Sequence, residues 1–318
     1  MDSLTIRSLR RKLTHWYDRA KRDLPWRRTR DPYAIWISEV MLQQTRVAAV
    51  IPYYQRFLER FPNAFALSQA AEPELLAMWS GLGYYSRARN LQKAARQMVA
   101  SGGFPKDYDS ILDLAGVGAY TAAAIASISF GLPHAVVDGN VRRVTARWTN
   151  DGHGDAQQIA NRLLDRRDPA RWNQAVMELG ATICLPKEPR CGECPVSADC
   201  RAQRAGTQKD VPLKRVKAAP EWLERTLLVI RRQGLLLLTP SPRVQGFWDL
   251  PERFAQAREG ATLGEFRHTI THRHYRFTVK EATTRAAPRG ARWHTGKELG
   301  EIPLSTTARK ALRLYNAL

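Results

Sequence analysis

From residue 4 to residue 183, apolar positions recur every three to four residues, the spacing of helices that are buried on one side. Leu9, Leu13, Trp16 and Tyr17 fall on one face of a first helix, and Arg10, Arg11 and Lys12 fall largely off it. Further helices are expected around 34–48, 50–60, 72–79, 86–100, 121–129, 139–148, 156–165 and 171–183. Their breaks carry Gly, Pro, Asn or Asp, as in Phe61-Pro62-Asn63 and Ser101-Gly102-Gly103. The pattern then lapses. Residues 201–220 hold six Lys/Arg against one Asp and end in Ala-Ala-Pro, so 201–221 reads as an exposed basic linker. Beyond Glu221 the texture is that of strands. Leu227 to Ile230 and Leu235 to Leu238 flank Arg231-Arg232-Gln233-Gly234 as a hairpin, and Phe266 to Thr269, Tyr275 to Val279 and Ala291 to His294 are further strands. A closing helix is expected over 305–316, behind a Ser/Thr cap. The layout is multidomain: an all-α domain over 1–200, the linker, and a smaller α+β domain over 222–318, with no internal repeat.

A length of 318 residues suits two domains, and 44% hydrophobic with 9% aromatic residues excludes wholesale disorder. No stretch approaches the ~20 apolar residues of a membrane helix. The N-terminal residues lack the apolar core of a signal peptide, which leads us to expect an intracellular protein, cytoplasmic or nucleoid-associated. Charge changes the picture most. Fifty Lys/Arg against thirty Asp/Glu give a net +20, which points to a polyanionic partner, nucleic acid before membrane, over a generically basic protein. Only four cysteines occur, all between 184 and 200, a clustering that reads as metal ligation and not as a disulfide framework.

Three constellations carry candidate chemistry. In Leu114-Ala115-Gly116-Val117-Gly118-Ala119-Tyr120-Thr121, between two helices, Gly116 and Gly118 let the backbone turn tightly and present N–H groups to an anion. The start of the next helix adds its positive end, so a nucleic-acid phosphate would fit there, with an ordinary tight turn as the alternative. Cys184, Cys191, Cys194 and Cys200, spaced C-x6-C-x2-C-x5-C, could hold zinc or a [4Fe–4S] cluster. Lys187 and Arg190 lie in the loop between the first two and could reach phosphate. Glu39 sits in an apolar helical string, where a carboxyl tends to stay protonated. Asp138 sits at a helix start, which favours the charged form. Two carboxyls with opposed environments suit chemistry through an oxocarbenium ion. A solvated Glu39 with Asp138 as a plain N-cap is the alternative.

The strings Leu24-Pro25-Trp26, Ser38 to Thr45, Gly81 to Asn90 and Asp138-Gly139-Asn140-Val141, together with the glycine turn and the cysteine spacing, resemble the MutY-type adenine DNA glycosylases of the endonuclease III, helix-hairpin-helix superfamily. The resemblance is close from about residue 10 to 200 and continues more weakly to the end. It implies a helix-hairpin-helix near 112–124, a [4Fe–4S] cluster on the four cysteines, and removal of adenine mispaired with 8-oxoguanine or guanine in double-stranded DNA. By similarity, Glu39 protonates the departing base, Asp138 stabilises the sugar cation, and Asn140 orients the same region. Trp26, Arg27, Leu42 and Gln174 match pocket positions, Gln44 and Tyr84 match residues at the opened base stack, and Gln43 is a further candidate DNA contact. Tyr120 stands where strand-cleaving relatives carry a Lys, which implies a monofunctional enzyme. The 222–318 region resembles the Nudix-like domain with which the family reads 8-oxoguanine. Gly246 and Glu252 keep the opening Nudix spacing, but Gly260 to Glu265 lacks the glutamates a hydrolase needs. Phe266 to His272 matches the recognition loop, with His268, Thr271 and His272 as candidate contacts. Ile270-Thr271-His272 stands where Phe-Ser-His is usual, and 239–248 is shortened, so weaker lesion discrimination is expected. A monomer without membrane attachment is expected. Two other readings compete. Tyr120 and Gln43-Gln44 speak against a glycosylase/lyase for oxidised pyrimidines, and the presence of both Glu39 and Asp138 speaks against a catalytically silent DNA-binding protein.

Overall fold

The computed structural model describes residues 3–212, 221–270 and 273–315. They group into two compact units, Met1–Ser68 with Asn90–Val216, and Gln69–Arg89 with Lys217–Leu318. The segment Gln69–Arg89, which carries Tyr84, therefore groups with the C-terminal residues, although its helical pattern alone places it with the first domain.

The first unit is helical. Its chain runs through α1 (Ser3–Ala20), α2 (Pro32–Leu42), α3 (Val47–Arg60) and α4 (Ala64–Gln69). After α5 (Glu72–Trp79) in the second unit, α6 (Ser86–Ala100) leads to α7 (Tyr108–Leu112), α8 (Ala119–Phe130) and α9 (Gly139–Thr149). Then follow α10 (Ala156–Leu163), α11 (Pro169–Thr182) and α12 (Arg201–Arg204). Aspartates start many of these helices: Asp31, Asp107, Asp138, Asp155 and Asp168 each accept backbone N–H groups of the first turn. Gly131 and Asn150 end α8 and α9 in the left-handed conformation.

Two helices are buried nearly throughout. Tyr33 to Met41 of α2 and Thr121 to Ile128 of α8 pack against each other, so neither shows a polar face. That contact brings Glu39 of α2 beside Tyr120 of α8. A second core joins α1, α9, α10, α11 and α12 through Leu9, Leu13, Trp148, Trp172, Leu179 and Ala202. Composition assigns 201–221 to a linker, but residues 201–212 fold onto this core. Ala202 and Val211 are buried, and Arg147 donates from Nε to the Val211 carbonyl at 2.9 Å. Two isolated apolar anchors are too sparse to make a period. Residues 213–220 lie outside the described residues.

In the second unit, β1 (Glu221–Arg232), β2 (Leu235–Pro240), β3 (Trp248–Asp249), β4 (Ala257–Ile270) and β5 (Arg273–Thr284) form a sheet in the order β3-β2-β1-β5-β4, and β6 (Arg292–His294) pairs with β2. The expected hairpin is present, turning at Gln233 and Gly234, both with positive φ. β1 runs parallel to β5 in the sheet centre. That position explains its unbroken apolar run: Leu227 and Val229 face one core, and Leu228 and Ile230 face the other. α13 (Gly296–Glu301) starts with a Thr295/Glu298 capping box, and α14 (Thr306–Leu314) packs Ala308, Ala311 and Leu312 onto the sheet. Gly260 to Glu265 lies in strand β4, with bulges on either side of Thr262. Among the described residues no helix is long and apolar enough to cross a membrane.

Candidate active site and cysteine pocket

The first unit holds a cleft of about 700 Å³. Trp26 and Arg27, Glu39 and Leu42 with the following Gln43 and Gln44, Tyr120, Asp138 and Asn140, and Gln174 all line it. Positions taken from four separate strings of the sequence thus meet in one place.

Glu39 is 6% exposed. Burial pushes its carboxyl up to about 7, and the Asp138 charge adds to that. The Tyr120 hydrogen bond and the Arg27 charge oppose it. Tyr120 donates from its hydroxyl to Glu39 Oε2 at 2.7 Å, and burial beside Glu39 pushes the phenol well above its ordinary value. Asp138 caps α9: one carboxylate oxygen accepts Val141 N–H at 2.7 Å and the other accepts Asn140 Nδ2 at 2.9 Å. Arg143 in turn donates to Asn140 Oδ1 at 2.9 Å and to the Gly180 carbonyl at 2.7 Å. A Cβ on Gly180 would sit 2.6 Å from that of Asn140, so only glycine permits this approach of α9 to α11.

Sequence reasoning missed Glu178. It lies mid-helix in α11 and is fully buried, with Arg22 and Arg27 closing on it at 2.7 Å. Burial alone would raise its carboxyl, but the hydrogen bonds from both guanidinium groups outweigh this and hold it at about 2. No local pattern announces the pair, since its arginines stand some 150 positions away in the chain. Arg27 is thereby fixed at the cleft wall, and Gln174 is held by the Tyr17 hydroxyl at 3.0 Å.

The α7–α8 turn matches the expected hairpin, although α8 begins at Ala119 and not at Thr121. Gly116 has φ 75°, and a Cβ there would meet Asn90 Cβ at 2.6 Å. Gly118 caps α8 with open space around it. Gln44 and Tyr84 are exposed and both take positive φ, 57° and 49°, which side chains other than glycine adopt only when held there. Tyr84 is held by Arg87, whose buried guanidinium donates to the Leu82 and Gly83 carbonyls and lies 5.7 Å from the Tyr84 ring. In the second unit His268 is partly buried on β4. Burial lowers its imidazole to about 4, with Lys310 and Arg243 contributing. Thr271 and His272 lie outside the described residues.

Cys184, Cys191, Cys194 and Cys200 line a single small pocket in the first unit, walled by Trp148, Leu179 and Ile183. Burial pushes the Cys194 thiol up to about 12 and raises Cys191 and Cys200, and the neighbouring thiols add to each. Thiols bind a metal as thiolates, so a cation in this pocket would offset the cost of charging the buried sulfurs. Among the described residues no set of three His, Cys, Asp or Glu side chains is arranged to hold a single metal ion.

The family model described as HhH-GPD superfamily base excision DNA repair protein matches residues 37–167, a span that contains Glu39, the glycine turn, Tyr120 and Asp138. A thermostable thymine-DNA glycosylase superposes with a TM-score of 0.60 at 28% identity, covering 64% of this chain and 98% of its own. Endonuclease III in a non-covalent complex with DNA shares the fold at a TM-score of 0.57. The helical unit is thus that of a helix-hairpin-helix base-excision DNA glycosylase. Among curated proteins, the adenine DNA glycosylase of Homo sapiens is 34% identical over 409 residues, covering 99% of this chain and 75% of the relative. That of Mycolicibacterium smegmatis is 40% identical over 216 residues, covering 65% of this chain and 73% of the relative. The chain belongs to the adenine DNA glycosylase family.

Proposed function

We propose that this chain hydrolyses the N-glycosidic bond of adenine mispaired with 8-oxoguanine or guanine in double-stranded DNA and leaves the strand uncut. The observation that carries the reading is the buried Glu39, its carboxyl pushed to about 7, in one cleft with Asp138. Adenine within a duplex hides this bond, so the nucleotide must leave the stack, and the cleft has room for a purine. Glu39, about half protonated near neutrality, gives its proton to N7 of the base. The bond electrons leave with adenine, and positive charge develops at the sugar C1′ next to the Asp138 carboxylate. Asn140 and the Val141 N–H fix that carboxylate in place before the charge appears. Water then adds at C1′ and returns a proton to Glu39. Tyr120 offers a hydroxyl where a Schiff base would need an amine, which favours a monofunctional enzyme.

By the same reading, the Gly116 and Gly118 turn offers N–H groups to a phosphate, Lys187 and Arg190 add charge, and Gln44 and Tyr84 enter the opened stack. The 222–318 region, by its sequence resemblance to a Nudix-like reader, reads the lesion with His268, Thr271 and His272, and a monomer suffices. The cysteine pocket fits a [4Fe–4S] cluster held by Cys184, Cys191, Cys194 and Cys200, which would brace the 184–200 loop and supply one-electron chemistry. The test is base release in a single turnover from duplexes with adenine opposite 8-oxoguanine, G, C or T. Release opposite 8-oxoguanine and G, with strand breaks only after alkali, is expected. Release of oxidised pyrimidines instead, or a borohydride-trapped protein–DNA adduct, would overturn the reading.

A further inference from the structure

The cysteine pocket is bordered by a buried guanidinium and by two amide oxygens that find no partner among the described residues. Arg147 is 2% exposed. Its guanidinium donates to the carbonyls of Val211 at 2.9 Å, Leu185 at 2.8 Å and Pro186 at 3.1 Å, and to Cys184 Sγ at 3.3 Å. No carboxylate of the described residues pairs with it, so a buried positive charge faces only carbonyls and a thiol. Gln203, on α12 three positions after Cys200, and Gln208 line the same pocket. Among the described residues, the Oε1 atoms of both are buried without a hydrogen-bond partner. Leaving a buried amide oxygen unpaired is costly, so two at one pocket call for an occupant. A side-chain amide turned about its terminal bond presents NH2 where the oxygen stood, and its partners decide which of the two faces the pocket.

Sulfur atoms of a thiolate-ligated iron–sulfur centre are hydrogen-bond acceptors, and four thiolates around a [4Fe–4S] core leave it a net anion. We infer that Gln203 and Gln208 turn their amide N–H groups toward the sulfurs of that cluster, with Arg147 as its buried counter-charge, and that the three together raise its reduction potential. This rests on the cluster proposed above. Donors and a positive charge stabilise the state with one more electron, so their presence favours reduction. The step is the transfer of one electron to the cluster from a one-electron reductant, in the test below the electrode, which is oxidised as the cluster is reduced, with no bond made or broken and no proton moved. The Asp138 and Glu39 chemistry does not use it, so these residues tune the cofactor and not base release.

The test uses the full-length, iron-loaded protein on a DNA-coated electrode, comparing wild type with Gln203→Met, Gln208→Met and the double variant. Iron content and adenine release are measured on the same samples. Each single variant should lower the midpoint potential and the double variant should lower it further, with iron content and adenine release unchanged. Potentials equal to wild type in both single variants, with iron fully retained, would overturn the inference. The singles decide the matter even where the double variant fails to fold. Arg147→Lys, which keeps the charge but loses the planar fork, should lower the potential less than Arg147→Met; equal effects would remove Arg147 from the account. Zinc without iron in the wild type would overturn the cofactor reading itself, a result distinct from unchanged potentials in an iron protein.

Discussion

Tyr120→Phe removes one hydroxyl and with it the 2.7 Å hydrogen bond to Glu39 Oε2. That bond favours the ionised carboxylate and so opposes the effect of burial. A hydrogen bond to a charged group contributes about 1.5–3 kcal/mol. At about 1.4 kcal/mol per pH unit, its loss should move the ionisation of Glu39 upward by about one unit or more. Glu39 acts first as an acid, so the rate of adenine release falls once the pH exceeds its ionisation point. For wild type this alkaline limb should begin near pH 7, where the carboxyl titrates. For Tyr120→Phe it should begin about one unit higher, even if the plateau rate is lower. The assay is single-turnover adenine release from an 8-oxoguanine:adenine duplex between pH 6 and 9.5, with binding saturated at each pH. An alkaline limb at the same pH in both proteins, or lower in the variant, would refute the assignment of Tyr120 as a partner of the acid.

Glu39→Gln should also stabilise the protein. The folded carboxyl titrates near 7 and the unfolded one near 4.5, so stability is full below 4.5 and falls by about 3 kcal/mol as pH rises through 7. Gln escapes that loss, so the variant should melt higher than wild type at pH 8 and nearly equally at pH 5; the same difference at both would contradict the buried, raised acid. Gly116→Ala should lose about 1–3 kcal/mol in thermal melts, because its left-handed backbone and the 2.6 Å approach to Asn90 both exclude a Cβ. Gly118→Ala, with open space, should melt like wild type and show its effect only in DNA affinity. His268 titrates near 4 when folded and near 6.5 when unfolded, so the second unit should lose stability as pH falls between those values. A His268→Asn variant should flatten that loss, and an unchanged acid limb would place the cause elsewhere.

The parts of the site legible in sequence were those whose chemistry is local. The apolar string Ile35-Trp36-Ile37-Ser38-Glu39-Val40-Met41 leaves a buried Glu39 and one on a solvated face both open, and the structure decides for burial, whereas Asp138 before Gly139-Asn140-Val141 reads as a helix start and caps α9. The central strand β1 was visible as an apolar run for the same reason, being buried on both faces. The pocket positions Trp26, Arg27, Leu42 and Gln174 came from resemblance, not from any pattern. What escaped depends on distant partners. Glu178 reads as an ordinary helix-surface charge until Arg22 and Arg27 close on it. Arg147 likewise reads as one more basic residue of α9, yet it is buried against the 184–186 loop. Residues 201–212 lack enough apolar positions to form a period, so their packing on the first unit left no signal. The grouping of Gln69–Arg89 with the C-terminal residues is invisible in a local pattern, since Ser80 finds its acceptor at Leu304.

The central claim is that Glu39 supplies the proton that lets adenine leave. The most direct measurement is the single-turnover rate of adenine release from an 8-oxoguanine:adenine duplex by Glu39→Gln, with the dissociation constant for the same duplex measured alongside. Gln keeps the shape and the Tyr120 contact but carries no transferable proton. The account predicts binding within a few-fold of wild type and a rate lowered by a factor of about a hundred or more, the scale of general acid catalysis. A variant that binds normally and keeps more than about a tenth of the wild-type rate would contradict it, because a loss under ~1.4 kcal/mol is too small for the group that protonates the leaving base.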